Sequence, residues 1–248
     1  MENRPVIRLW ARRIQPEYEK RFLNWHFEAY APLMVTIPGI EKSDFYNVVK
    51  ENPEYNKTLQ ITHYVNRRAQ VEIRSDQRFI DIQKDWATTW GNRVETVWFV
   101  AYEQIASFKK DPTSPGGNSV SEAEKSPVIH MEGYDFSNPE QERYETWFDK
   151  WGREVFIPLL MESTGLREYT SYRFIDVERT GLNEFSRPKT VEYPPYLSIL
   201  TFDNINAFEN YESSLELAAF KSALQAPFPL GLNYQWYVQY RLIRSWRK

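Results

Sequence analysis

The 248-residue sequence contains no cysteine and only three histidines. The absence of cysteine excludes disulfides, thiolate metal sites and thiol nucleophiles. No apolar stretch reaches the roughly 18 residues that a membrane-spanning helix needs. The N-terminus also lacks the apolar core of a secretory signal. We therefore expect a cytoplasmic protein with no membrane partner.

The sequence also has little net charge and no familiar site motif. Lys and Arg number 31 against 34 Asp and Glu, with both signs scattered, so no basic surface predicts nucleic acid as a partner. The patterns G-x-G-x-x-G, G-x-S-x-G and H-E-x-x-H and the P-loop are missing, which argues against nucleotide-binding, serine-hydrolase and zinc-peptidase sites. Three scattered histidines do not form a ligand cluster, so no metal site is predicted.

Aromatic residues are abundant instead. The chain has 9 Trp, 16 Tyr and 15 Phe, or 16% of its residues. Large flat side chains can fill a thick core or line a site for an apolar ligand. For each ring taken singly, core packing is the simpler explanation.

The chain repeats itself. Three segments recur in the same order: VIRLWARRI and VIHMEGYDF, GIEKSDFY and GLREYTSY, and WFVAYEQI and WYVQYRLI. The offsets between the copies are 122, 126 and 138 residues, and the last also pairs Ala69 with Ala207. Such repetition indicates an internal duplication.

A polar connector rich in Pro, Gly and Ser separates the copies. We predict one domain over 1–108, a linker over 109–125 and a second domain over 126–248. The second copy has four more residues than the first in its first helix, because eleven steps separate Trp147 from Pro158 but seven separate Trp25 from Pro32.

Each copy is predicted to form strand, helix, strand, strand, helix and strand. Alternating apolar residues predict strands at 6–13, 41–49, 58–65, 94–103, 128–135, 167–176, 196–202 and 233–243. The first helices should begin near Pro16 and Pro139, and the prolines at 32 and 158 should bend or end them. The first of these helices should bury a stripe of Phe22, Trp25, Ala29, Leu33 and Ile37.

A fresh helix should begin at the capping box SSLE, with Ser213 as its N-cap. This element order is the ferredoxin-like plan, which leaves one sheet face bare. The predicted fold class is therefore α+β, with two tandem ferredoxin-like units packed sheet-to-sheet as a pseudo-dimeric α/β barrel.

Two segments resemble a known family. FLNWHFEAYAPLMVTIPGI at 22–40 is similar to the first helix of EthD-type proteins of the dimeric α/β-barrel superfamily. PPYLSILTFDNINAFENYESSLELAAF at 194–220 is similar to the third strand and second helix. The resemblance implies a cofactor-independent oxygenase, lyase or isomerase that acts on a small apolar or aromatic molecule. The family's His before Ala-Pro-Leu is replaced by Tyr30 here and by Phe156 in the second copy.

This replacement leaves a non-catalytic ligand-binding or interaction protein with a decayed site as an alternative. Another alternative is a haem protein of the chlorite-dismutase type. Members of that type bind haem through a helical His of the second half, whereas the second half of this chain has only His130, on a predicted strand, although a Tyr ligand could substitute. The leading prediction is therefore no cofactor, and association of two chains through outer strands is left open.

The candidate catalytic residues are His26, Tyr30, His130 and Glu132. His26 and Tyr30 lie one turn apart on a predicted helix, where they could transfer protons, and a passive, hydrogen-bonded His26 is the alternative. Alternation places His130 and Glu132 on one strand face. With Arg8 and Arg12 they either line a ligand cavity or form an ion-pair network. The candidate substrate-binding residues are Arg8, Trp25, His63, Trp98, Trp147 and Trp151.

Overall fold

The structure is a computed structural model that describes residues 3–50, 57–110, 126–136, 148–177, 193–214, 217 and 232–248. Its strands are β1 (Val6–Ile14), β2 (Ile40–Val48), β3 (Thr58–Tyr64), β4 (Val94–Lys109), β5 (Val128–Phe136), β6 (Leu166–Val177), β7 (Tyr196–Phe202) and β8 (Leu232–Arg247). All eight predicted strands are confirmed, and β4 and β8 run longer than predicted.

The strands form one closed barrel in the hydrogen-bonded order β1-β3-β2-β8-β5-β7-β6-β4. The pairs β1–β3, β1–β4, β2–β3, β5–β7 and β5–β8 are antiparallel. The predicted α/β-barrel fold class is confirmed by this topology.

The chain divides into two compact units. Unit 1 comprises Met1–Ile105, Arg173–Tyr193 and Leu242–Lys248, and unit 2 comprises Ala106–Tyr172 and Pro194–Arg241. The domain limits drawn from the repeats stay a prediction.

The helices follow the predicted order. Unit 1 has α1 (Glu19–Trp25), α2 (Ala31–Thr36), α3 (Arg67–Glu72) and α4 (Gln77–Thr89), with a π turn at His26–Tyr30 and 3₁₀ turns at Pro16–Tyr18 and Ile73–Ser75. Unit 2 has a π helix at Phe148–Phe156, then α5 (Ile157–Glu162) and α6 (Ile205–Glu212). The predicted start at Pro16 is confirmed, and Pro139 lies outside the described residues. No helix in the described part of the chain is long and apolar enough to cross a membrane.

Helical winding continues through Pro32 and Pro158 instead of ending there. Each proline lies in the first turn of an α-helix that directly follows a π segment. A proline lacks the N–H of an α-helical hydrogen bond and crowds the preceding turn, and a wider π turn accommodates both effects. The π segment has nine residues in unit 2 and five in unit 1, so the difference, 9 − 5 = 4, matches the predicted four-residue insertion.

The buried face of this helical segment matches the predicted stripe at Phe22 and Ile37 but not in the middle. Trp25 is only half-buried and Ala29 is exposed. A line of fully buried side chains spaced four apart lies there instead: Phe22, His26, Tyr30 and Met34. The π turn explains the correction, because a wider turn keeps residues four apart in line where an ideal α-helix would rotate them away.

Trp10 of β1 lies at the centre of the unit 1 core. Its ring centroid is 4.5 Å from that of Trp86 on α4, 5.4 Å from Phe99 and 5.5 Å from Tyr30. Side chains alternate along a strand, so Arg8 and Arg12 lie on the same face of β1 as Trp10, which is the face that points at the helices. The layer between sheet and helices therefore contains two arginines from one strand.

Both units repeat one close backbone contact. Gly39 has φ +83° and Gly165 has φ +80°. A Cβ added to Gly39 would lie 2.4 Å from the Ala69 Cβ, and a Cβ on Gly165 would lie 2.4 Å from the Ala207 Cβ. The sequence offsets pair these two glycines with each other and these two alanines with each other, so the two units share the same close contact at equivalent positions.

The predicted capping box is wrong by one residue. Ser214 Oγ accepts a hydrogen bond from Leu217 N at 3.1 Å. The Ser213 hydroxyl instead donates to Glu209 O of the preceding helix, which removes it from the capping position. Glu216 lies outside the described residues.

Candidate functional site

The pairing of β1 with β4 is irregular next to Arg12, in the layer between sheet and helices. Ala11 lies opposite Trp98 of β4, but Arg12 lies opposite Thr96, so the register shifts between Ala11 and Arg12. Trp10 Nε1 donates to Thr96 Oγ1 at 3.1 Å beside this shift. The extra residue is Val97 of β4, so alternation along β1 keeps Arg12 on the face of Trp10. The Arg12 side chain is fully buried there.

Arg12 contacts neutral groups only among the described residues. Its Nη1 lies 3.4 Å from His26 Nδ1, and its Nη2 donates to Gln60 Oε1 at 3.4 Å. Its guanidinium carbon lies 4.3 Å from the Trp10 ring centroid and 5.2 Å from that of Phe22. No described carboxylate forms an ion pair with it. The positive charge is therefore held by aromatic faces, an amide and an imidazole.

Gln60 is in turn fixed by neighbouring hydroxyls. Its Nε2 donates to Ser43 Oγ at 2.9 Å and to Thr62 Oγ1 at 3.3 Å. These bonds orient the Gln60 carbonyl oxygen towards Arg12. The network supplies hydrogen-bond acceptors without supplying negative charge.

His26 completes the arrangement from the π turn. Its ring stacks on Tyr30, with centroids 5.2 Å apart and planes at 22°, and lies 4.8 Å from the Phe45 ring. Arginine has only donors, so His26 Nδ1 accepts from Arg12 and the proton of the neutral ring is assigned to Nε2. His26 Nε2 is buried and has no hydrogen-bond partner in the described part of the chain.

The ionisation states follow from burial and from charge. Burial lowers the pKa of His26 well below its usual value, and the positive charge of Arg12 lowers it further. Burial also lowers the pKa of Arg12 to about 9, where Tyr30 opposes the shift and Arg8 adds to it. At neutral pH the site therefore contains a protonated arginine beside a neutral histidine.

Five buried N–H groups in this region have no acceptor among the described residues. They are Arg12 Nε, His26 Nε2, Trp86 Nε1, Trp90 Nε1 and Trp246 Nε1, and we call them the donor cluster. The Phe22 ring lies among them, 5.3 Å from Trp90, 5.9 Å from Trp86 and 5.8 Å from His26. Buried polar groups are ordinarily hydrogen-bonded. A ligand with acceptor oxygens would satisfy such a cluster.

Trp86, Trp90 and Trp246 were not among the predicted site residues. Trp86 and Trp90 lie one turn apart, and their spacing of four residues in the sequence is a signal that could have identified them as a pair. Trp246 comes from the end of β8 and lies 6.0 Å from His26. Nothing in the local sequence connects it with a histidine 220 positions earlier.

Two predicted substrate-binding residues lie in the same layer. Arg8 is buried, with its guanidinium carbon 5.2 Å from the ring centroid of Phe99 and 5.5 Å from that of Tyr64. Trp25 is half-buried, and its Nε1 donates to Asp85 on α4 at 2.7 Å. Trp25 therefore connects the first helix to α4 at the edge of the aromatic core.

Other predicted residues are not brought to this layer. Trp98 lies opposite Ala11 in the sheet and so shares its face, which is the reverse of the Trp10 face. Gln60 and Tyr64 lie on the strand face that points at the helices, and His63 lies on the reverse face. There His63 binds Asp44. Trp147 lies outside the described residues. Trp151 lies in the π helix, but its side chain is outside the description.

His130 and Glu132 form a pair in unit 2. His130 Nε2 is 2.9 Å from Glu132 Oε1, and His130 Nδ1 is 2.9 Å from Gln239 Nε2. The His130 ring also stacks on Phe208 at 5.2 Å. Both ring nitrogens are thus engaged, and the catalytic role of the pair stays a prediction.

The unit 2 positions equivalent to Arg12 and His26 have different side chains. Tyr134 occupies the position equivalent to Arg12, directly after the point where the pairing of β5 with β8 shifts register. Counting back from the shared proline, Gly152 occupies the position equivalent to His26. Unit 2 therefore has a phenol for the guanidinium and no side chain for the imidazole.

Uncharged hydrogen bonds replace the amide network there. Tyr169 OH lies 2.8 Å from Ser198 Oγ, and Ser198 Oγ donates to Tyr134 OH at 3.3 Å. By the offsets of the repeats, Tyr169 corresponds to Ser43 and Ser198 corresponds to Gln60. The two copies have diverged most at the positions that define the unit 1 site.

A second polar cluster surrounds Asp44 on the reverse face of unit 1. Asp44 Oδ2 accepts from Lys42 Nζ at 2.8 Å and from His63 Nε2 at 3.1 Å, and Ser245 Oγ donates to Oδ1 at 2.6 Å. Burial raises the pKa of Asp44, but the hydrogen bonds and charges of His63 and Lys42 outweigh it and hold the pKa below its usual value. The ionised carboxylate thus fixes the last residues of β8 to β2.

Replacing Asp44 with asparagine should lower the free energy of unfolding by about 2 kcal/mol at pH 7. A depressed folded-state pKa stabilises the protein above the unfolded-state value of about 3.9, and this contribution is lost as the pH falls further. The stability gap between wild type and D44N should therefore be full near neutrality and shrink below about pH 4. Urea unfolding across that range measures it.

The exposed Asp81 provides the control, because D81N removes one carboxylate that lies 3.9 Å from Lys84 at the surface. Its stability should stay within about 0.5 kcal/mol of wild type. A gap between wild type and D44N that does not change with pH would show that Asp44 is not stabilised as an anion.

The histidines do not fit a haem held by unit 2. The sequence has three histidines, and the structure describes all of them. His26 contacts Arg12 in unit 1, His63 contacts Asp44 in unit 1, and His130 in unit 2 has both nitrogens engaged. In the described residues, no group of three His, Asp or Glu side chains is placed to hold a metal ion.

Comparisons with known proteins support the fold. No family model and no curated protein sequence matches the chain. An anthrone oxidase-like protein of known structure is similar over 99% of this chain and 94% of its own, with 12% identity and a TM-score of 0.61. A proposed monooxygenase from Fusobacterium nucleatum is similar over 100% and 96%, with 10% identity and a TM-score of 0.60. A mutant chlorite dismutase from Candidatus Nitrospira defluvii is similar over 98% and 93%, with 10% identity and a TM-score of 0.54. The closed eight-stranded barrel and these similarities together show that the chain has the dimeric α/β-barrel fold.

Proposed function

We propose that unit 1 contains a cofactor-independent enzyme site for a small aromatic molecule that carries a carbonyl or hydroxyl oxygen. The observation that supports this proposal is the buried, neutral His26, held by Arg12 so that an N–H without a partner among the described residues remains at Nε2. Oxygenase, lyase and isomerase reactions of such molecules share one requirement. Each passes through an anion that is delocalised onto an oxygen.

The donor cluster would stabilise that anion. When the substrate loses a proton, its oxygen gains negative charge and accepts hydrogen bonds from His26 Nε2 and Arg12. Donors that are already oriented in a water-poor site stabilise developing charge strongly. A neutral imidazole can donate without first being protonated, so the low pKa of His26 suits this role.

Tyr30 is the proposed proton carrier. Its ring is fully buried, stacks on His26 and lies 5.3 Å from the ring of the half-buried Trp25. In this proposal the phenol oxygen takes the substrate proton while its own proton passes to solvent. The aromatic faces of Phe22 and Phe45 would hold the substrate ring.

Oxygenation of an anthrone illustrates the chemistry. The methylene loses two hydrogens, one atom of O2 becomes the new carbonyl oxygen and the other leaves as water. The ionised substrate supplies the electrons, so the reaction needs no protein-bound cofactor. The proposed contribution of the site is to increase the fraction of ionised substrate.

A non-catalytic role is favoured for unit 2. Tyr134 and Gly152 replace the arginine and histidine there, so neither of these two positions offers a positive charge to an anion. One active site per chain is therefore proposed.

Oxygen uptake by the purified protein tests the proposal. Anthrone is a suitable first substrate because a similar structure is named anthrone oxidase-like, and naphthols and hydroquinones extend the panel. We expect one O2 consumed per anthrone, with quinone formed above the rate of spontaneous oxidation and in the presence of a metal chelator. If no member of the panel, nor any enolisable aromatic ketone tested for isomerisation, reacts faster with the protein, the ligand-binding alternative replaces the enzyme.

A further inference from the structure

We propose that the ligand of the unit 1 site binds as an anion, with an ionised oxygen on a small planar aromatic molecule supplying the negative charge that pairs with Arg12. This inference deepens the proposed function and rests on it only for the location of the ligand. The chemical class is an aromatic carboxylate or phenolate, because both present a charged oxygen in the plane of a ring.

The first argument is charge balance. A buried cation is costly unless a charge or good hydrogen bonds compensate it. Arg12 is fully buried, and its two polar contacts, at 3.4 Å each, go to neutral atoms. Arg8 is a second buried guanidinium, four residues away on the same strand face. The charge of Arg12 itself therefore has no compensating carboxylate among the described residues.

The second argument is the type of the unused groups. Every member of the donor cluster is an N–H, and Arg12 Nε is one of them. A planar guanidinium binds a carboxylate through two parallel hydrogen bonds, and a single charged oxygen can accept one of them. A neutral ligand with one carbonyl would accept a hydrogen bond from one donor but leave the positive charge of Arg12 uncompensated.

The third argument concerns the surroundings of the charge. The rings of Trp10, Phe22 and Phe45 lie 4.3, 5.2 and 5.5 Å from the Arg12 guanidinium carbon. An aromatic ligand could pack against these faces while its anionic oxygen meets Arg12. A small inorganic anion would meet the charge but could not pack against the rings.

The ionisation of Arg12 is compatible with this role. Burial lowers the pKa of Arg12 to about 9, so the side chain remains protonated at pH 7. An anion beside it would raise that pKa again. The equivalent residue in unit 2 is Tyr134, which has a phenol instead of a guanidinium, so only unit 1 should prefer anions.

Calorimetric titration of two matched pairs of probes tests the inference. The pairs are benzoate with benzamide and 2-naphthoate with 2-naphthamide, which share their shapes and differ in charge. The wild-type protein should bind at least one acid about tenfold more tightly than its amide, which is the ratio expected for one charge-assisted hydrogen bond. In Arg12→Gln the ratio should fall to near one.

Arg13→Gln is the matched control, because it removes one positive charge from the neighbouring position of the same strand. Arg13 is exposed and pairs with Glu95 at 3.7 Å. Arg13→Gln should keep the wild-type preference for acids. Equal affinity for acid and amide in wild type, or a preference that survives in Arg12→Gln, overturns the inference.

Thermal unfolding gives a second readout. Without ligand, Arg12→Gln should unfold at or above the wild-type temperature, because it removes a buried charge with no acidic partner among the described residues. Benzoate or 2-naphthoate should raise the unfolding temperature of wild type and leave that of Arg12→Gln unchanged. If Arg12→Gln does not fold, the acid and amide affinities of wild type alone decide.

The probes separate this inference from the proposed function, since neither acid is oxidised in the binding experiment. Preference for acids without any turnover would remove the enzyme and keep the anion site. Turnover of neutral aromatic molecules without any preference for acids would keep the enzyme and remove the anion site.

Discussion

Replacing His26 with asparagine is expected to lower kcat by about 10²- to 10³-fold with little change in KM, once a substrate has been identified. Asparagine can still accept a hydrogen bond from Arg12, so the arginine should keep its position. The shorter side chain cannot place an N–H where His26 Nε2 lies. The loss therefore isolates the one donor that the neutral imidazole would offer to the transition state.

Two further variants sharpen this result. His26→Gln is long enough to return a donor near the Nε2 position, so it should recover part of the lost kcat. Asn24→Ala, on the exposed face of the same helix, should keep the wild-type rate. If His26→Asn turned over substrate within about threefold of wild type, a change too small for a lost oxyanion donor, His26 would be a core residue without a catalytic role.

Gly39→Ala is expected to lower the free energy of unfolding by about 3 kcal/mol or more. The positive φ of +83° disfavours any residue with a Cβ, by about 1–2 kcal/mol. The new methyl would also lie 2.4 Å from the Ala69 Cβ, and overpacking of this kind costs about 1–3 kcal/mol. Chemical denaturation with the slope held common across variants measures the change.

A double-mutant cycle separates the two contributions. Ala69→Gly removes the atom that the new methyl would strike, so the double variant should be more stable than the sum of the two single changes predicts. Gly165→Ala should behave in the same way with Ala207→Gly in unit 2, because the contact distance there is also 2.4 Å. Additive effects in both units would show that the glycines are required for their φ angle alone.

Local sequence patterns were sufficient to predict the strands and helices, but not which face of the first helix is buried. Alternation predicted β1 through β8 because a strand's side chains obey a period of two wherever one face is buried. The helical stripe was wrong at Trp25 and Ala29 because a helical stripe assumes 3.6 residues per turn, and the π turn at His26–Tyr30 departs from that value. The prolines marked this departure, but a proline signals a local disturbance without specifying its form.

The candidate site was predictable only in part. His26 and Tyr30 could be named because they lie one turn apart in a segment that resembles a family motif. The contact between Arg12 and His26 could not. Alternation places Arg12 on the face of Trp10, but the contact also depends on how the π turn packs on that face. Trp98 and His63 were assigned to the site by residue type, and their strand register places them on the reverse face.

The order of strands and helices, the two glycine turns and the pairing of repeated segments are all determined by the sequence alone, because each depends on neighbours along the chain. The neutral state of His26, the burial of Arg12 without a described acid and the gathering of five N–H groups are decided by the tertiary structure. These properties depend on which distant groups share one water-poor space, and only the folded chain brings them together.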